Sequence, residues 1–263
     1  SLVAPEVGAS LRREKTFPGT PPQLAHAGYD HCTPLRAVGQ PPQARFVGPD
    51  HDGPTVAAWR VAAHGGQPPL GIVNSSGETI RTAVWEITGD ADKPAFVRQR
   101  SLSIDPAQAS WGGFKTLDLA CLPGDRLVFG LYYLGPNTRH QVTVYDVARN
   151  SFRKLGEAVR DNSGGAPGRL FETWPLAPDT ALVLWHSGDL RVQAEVYVRE
   201  YDHLTLFSPR HPDGLEVLKL GLDDGNVERW TMVGHVLWLE TVDARDIRKP
   251  AAFVWSLDLS KLL

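Results

Sequence analysis

Asp50-His51-Asp52 and Asp223-Asp224-Gly225-Asn226 are two places where metal-ligating side chains crowd together. Closely spaced Asp residues in a loop are one way to bind Ca²⁺ through oxygen. Adjacent residues on an extended segment point to alternate sides, so three in a row cannot all face one ion. Ordinary Asp/Gly turn chemistry accounts for both stretches. No pair of His has zinc-ligand spacing on one element. The expectation is no metal and no cofactor.

Acid–base chemistry on a glycosidic bond needs paired carboxylates. Asp118, Glu172, Glu228 and Glu240 lie in or beside apolar runs, but none has apolar flanks that would clearly raise its pKa. The chain contains no GxSxG, HExxH, CxxC, P-loop or GxGxxG motif. His64-Gly65-Gly66 reads as a turn. Ser103 to Trp111, SIDPAQASW, resembles the Asp-box of sialidase-type propellers, with Ala107 where that motif wants glycine. It occurs once, so a turn at Asp105-Pro106 is the simpler reading.

Which elements could position such residues? The 25 Gly and 21 Pro in 263 residues suit a turn-rich fold, because Gly costs backbone entropy and Pro removes a donor. A net charge of -3 speaks against a nucleic-acid partner, which would want a basic face. No apolar run approaches the roughly 20 residues of a membrane-spanning helix. Cys32 and Cys121 are the two cysteines: either two buried thiols, or one disulfide tying the N-terminal segment to the body. The chain opens on Ser1 and has an even cysteine count, from which export to a bacterial periplasm or exterior is expected.

From Thr55 onward, short apolar runs rich in Val, Leu, Trp and Tyr alternate with Gly, Pro, Asp and Asn, which is the strand signal. They fall into four groups. The first is TVAAWRV (55–61), LGIVNS (70–75), TAVWEI (82–87) and AFVRQRSL (95–102). The second is FKTLDLA (114–120), LVFGLYY (127–133), QVTVYDV (141–147) and SFRKLGE (151–157). The third is RLFETW (169–174), ALVLWH (181–186), VQAEVYVRE (192–200) and LTLFSP (204–209). The last, VERWTMV (227–233), VLWLET (236–241) and AAFVWSLDL (251–259), lacks a fourth strand. Their third strands, anchored at Val84, Tyr145, Tyr197 and Trp255, are 61, 52 and 58 residues apart.

Four-stranded units repeated at this spacing resemble β-propeller repeat proteins over residues 55–263. The Gly-His and Trp-Asp pairs of WD repeats and the double glycines of Kelch blades are absent. Runs such as LVFGLYY, apolar at nearly every position, suit strands dry on both faces. The resemblance implies an all-β propeller, with residues 1–53 as an arm and partial blade and 54–263 as four blades of one domain. Five blades are expected, the fifth using Arg45–Val47, and the N-terminal segment closes the ring. Four blades plus an arm also fits the length. The alternative fold is an irregular β-sandwich or two small β domains.

Seven of the eight Trp fall in strands and are expected to fill the core, each indole N–H finding a partner. Trp111 is the loop exception. On a propeller, the loops NSSGE (74–78), GPNTRH (135–140), SGDL (187–190) and VDARDIRK (242–249) would share one face. They place Arg139, His140, Asp189, Arg245 and Asp246 near Trp111, the Arg-and-aromatic mix of interface hot spots. The function expected is therefore non-enzymatic binding of a partner protein, as by an exported inhibitor or immunity protein. A carbohydrate-active hydrolase or lyase, and a glycan-binding lectin, are the alternatives.

Overall fold

A computed structural model describes residues 11–18, 32–34, 55–61, 66, 68–75, 81–89, 95–100, 114–133, 138–160, 171–193, 196–243 and 251–263. The described secondary structure is strand apart from one short 3-10 turn, and the protein is all-β with several antiparallel sheets. Two compact units divide the chain. The middle unit is His26–Gly156, and the terminal unit joins Ser1–Ala25 to Glu157–Leu263. Strand β1 (Arg12–Glu14) belongs to the terminal unit and β2 (Cys32–Pro34) to the middle one.

In the middle unit, β2 is followed by β3 (Thr55–Val61), β4 (Leu70–Ser75), β5 (Arg81–Thr88) and β6 (Ala95–Arg100). These strands form one antiparallel sheet in sequence order. A second run follows: β7 (Phe114–Leu122), β8 (Arg126–Tyr133), β9 (Thr138–Asp146) and β10 (Ser151–Arg160), whose last four residues already belong to the terminal unit. One buried cluster joins the two runs. Leu70, Ile72 and Val84 from the first meet Leu119, Leu127, Phe129 and Tyr145 from the second. Burying each such side chain is worth about 1.5–3 kcal/mol. Leu127, Val128 and Phe129 are all buried in succession, as expected of a strand dry on both faces. Cys121, in this cluster, is disulfide-bonded. The other cysteine of the chain is Cys32, and β2 lies beside β7. The disulfide reading therefore replaces that of two free thiols.

In the terminal unit, β11 (Phe171–Ala177), β12 (Thr180–Gln193), β13 (Val196–Phe207) and β14 (Leu215–Gly221) form an antiparallel run. The last run is β15 (Asn226–Val233), β16 (Val236–Asp243) and β17 (Ala251–Asp258). Its fourth strand is β1, antiparallel to β17 with Arg13 opposite Trp255. The N-terminal segment thus supplies the strand that the last group lacks. Ser256 Oγ donates to Glu14 at 2.7 Å, and Leu11 packs on the core. That core is Leu182, Leu184, Leu204 and Leu206 from β12 and β13 against Trp230, Leu237, Leu239 and Leu257. Trp230 Nε1–H reaches Glu172 at 2.8 Å, linking β15 to β11. A 3-10 turn at Leu222–Asp224 joins the two runs. It ends on Gly225 at φ +78°, where a Cβ would come within 2.8 Å of the Val242 carbonyl carbon.

The first, second and last groups of strands agree with the sequence reading to within a few residues, and the third does not. SGDL is not a loop: β12 runs through Ser187 to Gln193, and β13 continues unbroken through 201–207. The ladder tolerates Gly188-Asp189 because its register shifts between Ser187 and Leu190. Gly188 and Asp189 there pair in parallel with Ala158 and Val159 at the end of β10. The true fourth strand, LEVLKLG at 215–221, follows a turn in which Gly214 N–H donates to the His211 carbonyl. The proposed Arg45–Val47 strand lies outside the described residues.

Candidate functional site

Two polar clusters sit back to back on β12 and β13. Alternation along a strand sends successive side chains to opposite faces, so His186 points away from Trp185 and Ser187. Across the ladder, Trp185 lies opposite His203 and Ser187 opposite Tyr201. On β14, Glu216 pairs with Thr205 and Lys219 with His203. Trp185, Ser187, His203 and Glu216 therefore converge on one face.

There the His203 ring bridges two partners. Its Nε2 lies 2.6 Å from Ser187 Oγ and its Nδ1 2.7 Å from Glu216 Oε2. A carboxylate can only accept, so Nδ1 carries the proton and Nε2 accepts from the Ser187 hydroxyl. Trp185 stacks flat on the imidazole, with centroids 3.9 Å apart and 3° between planes. The indole is itself held by its Nε1–H donating to Thr205 Oγ1 at 2.9 Å. Burial pushes the His203 pKa below 6.5; Glu216 opposes that shift and Lys219 reinforces it. The neutral imidazole is favoured at pH 7. Glu216 reaches water, with 42% of its side chain exposed against 6% for His203.

On the opposite face, Asp202 is the hub. His186 Nδ1 is 2.6 Å away, the Arg199 guanidinium 3.0 Å, and the Val227 N–H donates to it. Burial pushes the Asp202 carboxyl up. The His186 hydrogen bond, the Arg199 charge and the Val227 N–H outweigh burial and hold the pKa below 3.8. Asn226 closes the knot, accepting from the Arg199 N–H at 2.9 Å and donating to its carbonyl at 2.7 Å. All its partners lie on β12, β13 and β15, so this cluster ties strands together.

Of the residues expected to bind, Trp111, Arg245 and Asp246 lie outside the described residues. Arg139 and Asp189 fall within β9 and β12, opposite Tyr133 and Val159, rather than in loops. His140 also lies in β9 and is only 1% exposed, so it cannot form part of an open recognition loop. Arg139 and His140 belong to a strand that starts at Thr138, and Asp189 lies at the register shift inside β12. Among the candidate acids, Glu172 accepts from Trp230, Glu240 pairs with Arg229, and Asp224 Oδ2 accepts the Gly221 N–H inside its own turn. Among the described residues no three His, Cys, Asp or Glu are grouped to hold a metal ion.

Ser187, His203 and Glu216 were not singled out from the sequence. In sequence, Ser187 falls in the SGDL stretch with loop composition, His203 falls between the expected strands at 192–200 and 204–209, and Glu216 lies outside the expected strands. One signal was available: the polar stretch Arg199–His203 separates Val196–Val198 from Leu204–Phe207 with no Gly or Pro to break the strand. No protein-family model matches the sequence, and no curated protein matches it.

Proposed function

We propose that the protein is a β-propeller that binds a partner protein through the loops of one face. The observation that carries this is β1 lying on β17. An unpaired β17 would be an open edge, and a ring of blades closed by its own N-terminal strand removes that edge. Two further features support the ring. Each unit holds two successive antiparallel runs joined by a buried cluster, and residues 127–129 and 181–185 are buried without a break. On this reading each of the four runs of strands is one blade, the eight-stranded sheet being two blades that meet along β10 and β12.

The disulfide at Cys121 fits an oxidising compartment, so the proposed location is the periplasm or the exterior of a bacterium. There the partner would be an enzyme or toxin that the propeller blocks.

A crystal structure tests the ring: four sheets about one axis are expected, and two separate sandwiches would overturn it. For binding, cross-linking in the native host should yield one protein that titrates with the purified chain below roughly 10 μM, equivalent to about -7 kcal/mol. Arg245→Glu with Asp246→Lys should weaken that titration at least tenfold without moving the melting temperature. Unchanged affinity would sink the loop assignment.

A further inference from the structure

We propose that Ser187, His203 and Glu216 form a nucleophile–base–positioning relay that hydrolyses small carboxylic esters. This goes beyond partner binding and does not depend on the ring, since all three residues lie on β12, β13 and β14 of one unit.

The order of contacts is the one that acyl transfer needs: hydroxyl to Nε2 at 2.6 Å, then Nδ1–H to carboxylate at 2.7 Å. Both fall within the reach expected of a nucleophile and its base. The imidazole is held from rotating by the flat Trp185 stack. Ser187 is only part-buried and immediately precedes Gly188, which has φ +82° and a register break. A Cβ at Gly188 would lie 2.7 Å from Glu200 Cβ, so the register shift there leaves no room for a side chain. Bulges are enriched beside sites because they re-aim a side chain. Tyr201 faces Ser187 across the ladder, and the Lys219 ammonium lies 4.1 Å from its ring centroid. The Lys219 ammonium therefore borders the relay, which suits the negative charge that develops on an ester carbonyl oxygen, while the Tyr201 hydroxyl is engaged by Glu200.

In the reaction, Ser187 Oγ bonds to the acyl carbon as its proton passes to His203 Nε2. The tetrahedral oxyanion collapses, the bond to the alkoxide breaks, and the imidazolium gives its proton to the departing alcohol. Water then attacks the acyl-serine, with the same nitrogen taking its proton. This releases the carboxylic acid and restores the hydroxyl. Glu216 touches no substrate: it holds Nδ1–H and stabilises the transient imidazolium.

The test uses the full chain, a fluorophosphonate probe and p-nitrophenyl acetate. Intact-mass and peptide mapping should place a single adduct on Ser187, with ester turnover blocked in step. Ser187→Ala should abolish the adduct, and His203→Gln should slow it about a hundredfold. Glu216 raises the His203 pKa, so Glu216→Gln should lower the pH midpoint of labelling as well as its rate, about tenfold. Its carboxylate is partly exposed, so this variant keeps the test open if His203→Gln fails to fold. An absence of adduct on the folded wild-type chain overturns the relay. So does an adduct whose rate and pH midpoint are the same in wild type and Glu216→Gln.

Discussion

The indole of Trp185 and the imidazole of His203 lie parallel, 3.9 Å apart between centroids, on neighbouring strands. Nothing else described holds the His203 ring plane so directly, since its two nitrogens are already committed to Ser187 and Glu216. Trp185→Ala should cost about 3–5 kcal/mol through the cavity it leaves. Trp185→Phe keeps a ring against His203 but strands the Thr205 hydroxyl, for about 1–3 kcal/mol. Urea unfolding reads both as a lower midpoint at unchanged slope. Equal losses in the two variants would mean that the stack contributes nothing beyond the Thr205 hydrogen bond.

The two faces of this hairpin should respond to acid in separate windows. His203 has a folded pKa below its ordinary 6.5. The unfolded chain therefore takes up the proton first, and stability falls as pH drops below 6.5. Asp202 has a folded pKa below 3.8. Its contribution is fully present above that value and is lost only as pH falls through 3.8 and further. The pH–stability curve of His203→Gln should lack the upper window and keep the lower one. Persistence of the upper window in His203→Gln would assign it to another group.

Asp202→Asn tests the knot itself. The neutral amide leaves His186 and Arg199 facing a weaker partner inside the fold, and removing one partner of a buried charge cluster costs about 3–5 kcal/mol. Because Val227 N–H also donates to Asp202, hydrogen exchange should quicken at Val227 as well as on β13. Loss confined to β13 would argue against a link to β15.

Much of the strand order was legible because its signal is local. LVFGLYY and ALVLWH are apolar at consecutive positions, and both prove buried on successive residues. The third group misled because Gly188-Asp189 has turn composition but serves as a register shift inside a ladder. Composition cannot distinguish the two, since both uses exploit the same positive φ. LEVLKLG was overlooked because Lys219 breaks its alternation, yet that ammonium lies over the Tyr201 ring. The polar relay was illegible for a further reason. Its members are 16 and 13 residues apart, and only the pairing register of β12, β13 and β14 brings them together.

The N-terminal strand offers a test of closure. Deleting residues 1–18 removes the Glu14–Ser256 hydrogen bond, the Leu11 packing and the ladder along β17. The terminal unit should melt several degrees lower, at about 2–4 °C per kcal/mol for a chain of this size. The bared β17 should also drive concentration-dependent association. Glu14→Ala alone should cost only about 1 kcal/mol and leave the chain monomeric. A truncated chain as stable and monodisperse as wild type would show that β1 is dispensable.

Cys121 links the redox state to the middle unit. It is 4% exposed in the cluster with Leu127 and Phe129, and its bond restrains the unfolded chain across the span from Cys32. Native disulfides of this kind contribute about 2–5 kcal/mol. Reduction should therefore lower the middle unit's transition while leaving the Asp202 knot, which lies in the other unit, protected from exchange. Thiol titration of the denatured chain should find none before reduction and two after it, the full cysteine count. Cys32→Ala and Cys121→Ala should each mimic reduction. A second loss on combining them would mean that the two sulfurs stabilise independently rather than through one bond. Two thiols in the unreduced chain would remove the basis for placing the protein in an oxidising compartment.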